Sequence, residues 1–124
     1  MKTIVILIGL FTTSIFQQKH VLLVSPTVFA EALKKEKGVL LDIRTPGEYK
    51  KGHLKGSILM DFFRDDFEKS LDKLDKHKTY FIYCGIGGRS EECGVMMENK
   101  GFKKVYDMDG GISKWKAAGL PIEN

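Results

Sequence analysis

Cysteine, proline, tryptophan and histidine are all scarce in this 124-residue chain, and no apolar run is long. Two cysteines, Cys84 and Cys93, are too few for a disulfide framework. Neither has a histidine or a second cysteine within roughly four residues, the spacing of structural zinc sites, so no metal is expected. A basic stripe interleaved with aromatics is also missing. An excess of four positive charges would favour small anionic substrates or an acidic partner, but it is spread along the chain and not clustered, which argues against nucleic acid. What is present suffices for one domain: 43% of the residues are hydrophobic, enough to close a single core.

The first twenty residues stand apart. Met1-Lys2 precedes the apolar run Ile4 to Leu10, continued by Phe11-Thr12-Thr13-Ser14-Ile15-Phe16 and closed by Gln17-Gln18-Lys19-His20. The run is shorter than the ~18 to 20 residues of a membrane-spanning helix. It reads as a signal peptide, with Thr12 and Ser14 as small residues for cleavage, or as an anchor if retained. Export to a periplasmic location is therefore expected, or a cytoplasmic one if the segment is no signal. The alternative is a strand or helix packed on the domain. Membrane contact is expected only through residues 1–20, and the domain proper spans 21–124.

Within that domain helix and strand patterns alternate. Ser25-Pro26 opens an amphipathic helix carrying Val28, Phe29, Ala32 and Leu33, stopped by Gly38. Val39 to Ile43 reads as a strand covered on both faces, and Arg44 to Tyr49 as turn chemistry. Ser57 to Met60 is a brief strand. Phe63, Phe67, Leu71 and Leu74 stripe one side of a helix. Thr79 to Tyr83, β-branched and aromatic throughout, is the strongest strand and runs directly into Cys84. A helix is expected from about Arg89 to Lys100, stopped by Gly101, then a strand at Lys104-Val105-Tyr106 and a short helix from Gly110 through Trp115. This alternation implies an α/β parallel sheet with helices on both faces, whose sites form at the carboxyl ends of strands.

Cys84 stands at such an end, in Cys84-Gly85-Ile86-Gly87-Gly88-Arg89-Ser90. A cysteine between a strand and a helix N-terminus meets unpaired amides and the positive end of the helix dipole, both of which favour thiolate. The glycines let successive N–H groups turn inward as an anion nest, and Arg89 adds a permanent charge to hold a thiolate and orient an anionic substrate. Glu91 and Glu92 would weaken that field, and they are expected to face solvent. Cys93, at helical spacing with Met96 and Met97, reads as core.

That loop, together with Leu40 to Tyr49, Gly52-His53-Leu54-Lys55-Gly56-Ser57 and Asp109-Gly110-Gly111-Ile112-Ser113-Lys114-Trp115, resembles the single-domain rhodanese (thiosulfate sulfurtransferase) family over roughly residues 25–122. The resemblance implies a rhodanese-like fold with a five-stranded parallel sheet. It further implies that Cys84 carries sulfane sulfur as a persulfide cradled by the amides of Gly85, Ile86, Gly87, Gly88, Arg89 and Ser90. No cofactor is implied. The expected partners are a small anionic sulfur donor such as thiosulfate and an acceptor, a thiol or protein cysteine, with cyanide serving in assay. Two alternatives stay open: a non-enzymatic sulfur carrier, and a cysteine phosphatase or arsenate reductase. Phosphatases that resemble this fold place five residues between cysteine and arginine, whereas four separate Cys84 from Arg89. Asp42, Arg44 and His53 are expected behind the loop, as an ion pair or turn-fixing bonds with Glu48 a candidate partner, and as a loop brace.

Overall fold

The short apolar runs and the turn residues between them assemble one sheet with a helix layer on each face. In the computed structural model, which describes residues 1–10 and 18–124, the chain runs β1 (Val21–Val24), α1 (Pro26–Lys35), β2 (Val39–Asp42), α2 (Pro46–Lys50), β3 (Ile58–Leu59), α3 (Phe67–Asp72), β4 (Thr79–Tyr83), α4 (Gly88–Asn99), β5 (Lys104–Met108) and α5 (Gly111–Ala117). The five strands lie in the order β1-β5-β4-β2-β3, and every neighbouring pair is parallel.

Because successive side chains of a strand point to opposite faces, β4 feeds two cores. Tyr80, Ile82 and Cys84 join Leu41, Cys93 and Met97 on one side, whereas Phe81 and Tyr83 join Phe29, Tyr106 and Trp115 on the other. The chain leaves β2 toward β3 at one edge and leaves β4 toward β5 at the other. The carboxyl ends of β2 and β4 therefore flank the point where strand order reverses, the place where a crevice opens in such sheets. Asp42 and Cys84 stand at those two ends.

Several elements depart from the pattern reading. The stretch Arg44 to Tyr49 is not only a turn: Thr45 and Glu48 form a capping box, Glu48 N donating to Thr45 Oγ1 at 3.3 Å, and with Pro46 in the first turn they start α2. The helix expected to carry Phe63 begins only at Phe67, because Asp61 takes the amides that would open it earlier. Phe63 N donates to Asp61 Oδ1 at 2.9 Å and Arg64 N to Asp61 O at 3.2 Å. Residues 57–60 yield only the two-residue β3, and β5 extends to Met108. Segment-by-segment reading left β1 out. Four residues are too few to show a period, yet Val21 to Val24 pair along the whole of β5 from Val105 to Met108.

Residues 1–10 form neither helix nor strand, and Ile4 to Ile8 are well exposed. Thr12 and Ser14 lie outside the described residues. Among the described residues no helix is long and apolar enough to cross a membrane.

The start of α5 supports the loop after β4. Ile112 N donates to Cys84 O at 2.9 Å and Ser113 N to Gly85 O at 3.1 Å. Gly111, at φ +61°, permits this contact, since a Cβ there would stand 2.5 Å from both carbonyl oxygens. Gly111→Ala is accordingly expected to lower unfolding free energy by at least about 2 kcal/mol, read from the denaturant midpoint, because left-handed strain adds to a clash with immobile backbone.

Candidate active site

The loop wraps around the sulfur of Cys84. Gly87 N donates to Sγ at 3.1 Å and Ser90 N at 3.4 Å, while the Ser90 hydroxyl stands 3.6 Å from Sγ. Ser90 Oγ in turn donates to Gly87 O at 3.2 Å and ties the loop across its base. Both amides belong to the opening of α4, where the helix has no internal acceptor for them. Of the six amides expected to form the nest, those of Gly87 and Ser90 reach the sulfur, and the glycines serve different ends. Gly87 takes a left-handed φ of +115°, Gly85 makes room beneath Arg89, and Gly88 has open space around it. Ile86 projects from the tip, 79% exposed. Glu91 and Glu92 face solvent.

Arg89 departs most from expectation. Its guanidinium meets Glu48 in two parallel bonds, Nη1 to Oε1 at 2.7 Å and Nη2 to Oε2 at 2.9 Å, and lies 5.4 Å from the Phe63 ring centroid. Hydrogen bonding from Arg89 holds the Glu48 carboxyl down at about 2, against a partial opposing effect of burial. The charge expected to orient an anionic substrate is therefore compensated by a carboxylate. Glu48 is the residue the motif reading missed in this role: its capping-box spacing from Thr45 marks a helix start and carries no sign of Arg89.

Behind the loop, Asp42 pairs with Arg44 rather than drawing in Glu48. Arg44 Nη2 reaches Asp42 Oδ2 at 2.7 Å and Gly52 O at 2.7 Å, both side chains buried. Tyr83 completes this knot: its hydroxyl donates to Asp42 Oδ2 at 2.6 Å and accepts from Leu54 N at 3.1 Å. Burial first, then the Asp42 carboxylate, drives the Tyr83 phenol well above its ordinary value, so it stays a hydrogen-bond donor. His53 stacks on Tyr49 with centroids 3.7 Å apart, places Nδ1 2.9 Å from Tyr49 O, and forms an isolated bridge with Glu123. Its contacts are those of a brace. Cys93 is wholly buried, and burial pushes its thiol up to about 12, with Asp107 and Cys84 adding to the rise. Among the described residues no three acids, histidines or cysteines gather as a metal site.

A parallel α/β domain with a thiol held by loop amides at the reversal of strand order has the layout of sheets that open a crevice at the carboxyl ends of their strands. The chain is a member of the rhodanese family: the family's model, a rhodanese-like domain, matches residues 25–118. It is 38% identical over 91 residues to a tRNA uridine(34) hydroxylase of Pelagibacter ubique, covering 72% of this chain and 30% of that protein. A protein of the same name from Salmonella newport is 33% identical over 100 residues, covering 74% and 29%. The chain thus spans less than a third of the length of these relatives. Among solved structures it superposes on a rhodanese-related protein from Thermoplasma volcanium with a TM-score of 0.71 at 25% identity, covering 81% of this chain and 95% of that one.

The Glu48–Arg89 pair has a pH signature. The folded value of Glu48 lies below its ordinary 4.5, so its stabilisation is complete above about pH 5 and is lost as pH falls toward about 2. The stability difference between the protein and Glu48→Gln is expected to stay below about 1 kcal/mol, since the pair is partly solvated, to be flat above pH 5, and to shrink steadily below it in denaturant titrations.

Proposed function

We propose that this protein is a sulfurtransferase that carries sulfane sulfur as a Cys84 persulfide. The family supplies sulfur transfer as the type of chemistry; the observation that carries the reading to this chain is the Sγ held by Gly87 N and Ser90 N. In the first step the Cys84 thiolate attacks the outer sulfur of a donor such as thiosulfate, and sulfite leaves with the bonding pair. In the second, an acceptor thiolate or cyanide attacks the outer sulfur of the persulfide and Cys84 departs as thiolate. The loop amides stabilise sulfur anions at both stages without moving. Four intervening residues favour one sulfur atom over a phosphoryl group with three oxygens, which supports transfer over phosphatase or arsenate chemistry.

The Glu48–Arg89 pair favours a second reading, a carrier that receives sulfur from a partner and hands it on. With its only loop cation compensated, the site has little to concentrate a small dianion. Brisk steady-state turnover of thiosulfate and cyanide supports the enzyme, whereas persulfide formation without turnover supports the carrier. The names of the tRNA-acting relatives describe proteins of which this chain matches less than a third, and no basic aromatic stripe supports that substrate here. For the exposed apolar residues of 1–10 we propose export, with the segment as signal or anchor.

Incubation with thiosulfate followed by intact-protein mass spectrometry is expected to show one added sulfur, lost on cyanide treatment. The adduct should vanish in Cys84→Ser and persist in Cys93→Ser, whose native thiol is buried and protonated. Absence of the adduct with thiosulfate, a polysulfide and an alkyl persulfide alike overturns the reading.

A further inference from the structure

A groove of about 710 Å³ runs along the sulfur loop, walled by Ile86, Gly87 and Gly88, by Gly94 of α4 and by Val21 of β1. Asp107 of β5 lines it, only 4% exposed, and no described residue donates to its Oδ1. A buried carboxylate oxygen without a donor is unfavourable, a cost that a bound ligand's donor would remove. Burial pushes this carboxyl up to about 6, the Ser90 hydroxyl opposing and Glu91 and Asp109 adding to the rise, so it is ionised in mildly alkaline solution.

The remaining charges on the groove are Glu91, Glu98, Asp109 and Lys19, so acids outnumber bases although the whole chain is basic. Two of these acids are already engaged. Glu98 accepts from His20 N at 3.1 Å, and Asp109 lies 3.3 Å from Lys114 Nζ. Among the described residues, by contrast, none donates to Asp107 Oδ1. Glycines 87, 88, 94 and 110 leave the walls short of side chains, which suits a small group. Gly87 lines the groove and also donates to Cys84 Sγ, so groove and sulfur are separated by one turn of loop.

Resting on the sulfur-transfer reading above, we propose that this groove binds the ammonium group of a small alkyl aminothiol, which serves as sulfur acceptor, with Asp107 as the counter-anion. The aminothiol's thiolate, its proton already lost to solvent, attacks the outer sulfur of the Cys84 persulfide. The S–S bond breaks, Cys84 leaves as thiolate with the bonding pair, and the product is the aminoalkyl persulfide.

Binding is tested apart from chemistry by titrating the isotope-labelled full chain at pH 8 with ethylammonium chloride, and with sodium acetate at equal ionic strength, by amide NMR. Saturable shifts at Gly87, Gly88, Gly94 and Gly110 are expected with ethylammonium only. They should weaken about tenfold in Asp107→Asn, an isosteric change that removes a buried charge, and about twofold in Glu91→Gln at the exposed rim. No saturation, or equal response in Asp107→Asn, overturns the site even if Cys84 forms its persulfide. The acceptor role is read from the ratio of kcat/KM for 2-aminoethanethiol to that for 2-mercaptoethanol, in which intrinsic thiol reactivity cancels between variants. That ratio should fall about tenfold in Asp107→Asn, and an unchanged ratio overturns the acceptor assignment.

Discussion

The site depends on two carbonyl groups being turned away from it. Ile112 N and Ser113 N of α5 hold the carbonyl oxygens of Cys84 and Gly85. In a planar trans peptide the N–H points opposite to the C=O, so fixing these carbonyls toward α5 turns the next two amides away from it. With the loop's first two peptides set, Gly87 at positive φ brings the chain around, and the opening amides of α4 face the sulfur. The restriction at Gly111 thus acts on Cys84 through backbone alone. Residues that never touch the sulfur decide whether the amides around it are arranged before any ligand arrives, which is where preorganised stabilisation has its effect.

Charge around the loop is arranged in layers. Nearest the sulfur are neutral dipoles; Arg89, the one cation of the loop, is satisfied by Glu48 and covered by Phe63. Further back the Asp42–Arg44 pair, closed by Tyr83 and Gly52 O, joins the end of β2 to the loop after α2. A buried pair of this kind is weak evidence for stability, but its several bonds fix geometry, because moving either partner would strand a charge in a dry interior. The spread of positive charge over the sequence therefore says little about the field at the sulfur, which local pairing determines.

The core and the loop were legible in the sequence because each had a local signature. Thr79 to Tyr83 announced a central strand, Ser25-Pro26 a helix start, and Cys84 to Ser90 a strand-to-helix loop with too many glycines for a plain turn. What escaped depends on distance along the chain. Glu48 meets Arg89 across forty-one residues, and Tyr83 meets Asp42 across the same separation. Strand composition places Tyr83 in β4 yet is silent on where a hydroxyl at the end of the ring finds its acceptor. The α3 stripe failed for the opposite reason: its period was genuine at Phe67 and Leu71, but the local Asp61 turn took Phe63 out of the helix. Asp107 had a sequence trace, a lone carboxylate inside Val105-Tyr106-Asp107-Met108, though strand pattern alone does not separate a buried acid from an edge residue.

Cys84 and Cys93 show why exposure is a poor guide to reactivity here. They are 1% and 0% exposed and share one core on the same face of the sheet. Cys93 lies within α4, where backbone amides are consumed by helix bonds; burial has nothing to offset it and the thiol is held protonated. Cys84 precedes the same helix, where amides have no intrahelical acceptor and two of them turn to the sulfur. Nine residues along one chain separate a site where the backbone has donors to spare from one where it has none. That difference in available N–H groups, more than access to solvent, is the physical basis for assigning sulfur chemistry to one thiol and packing to the other.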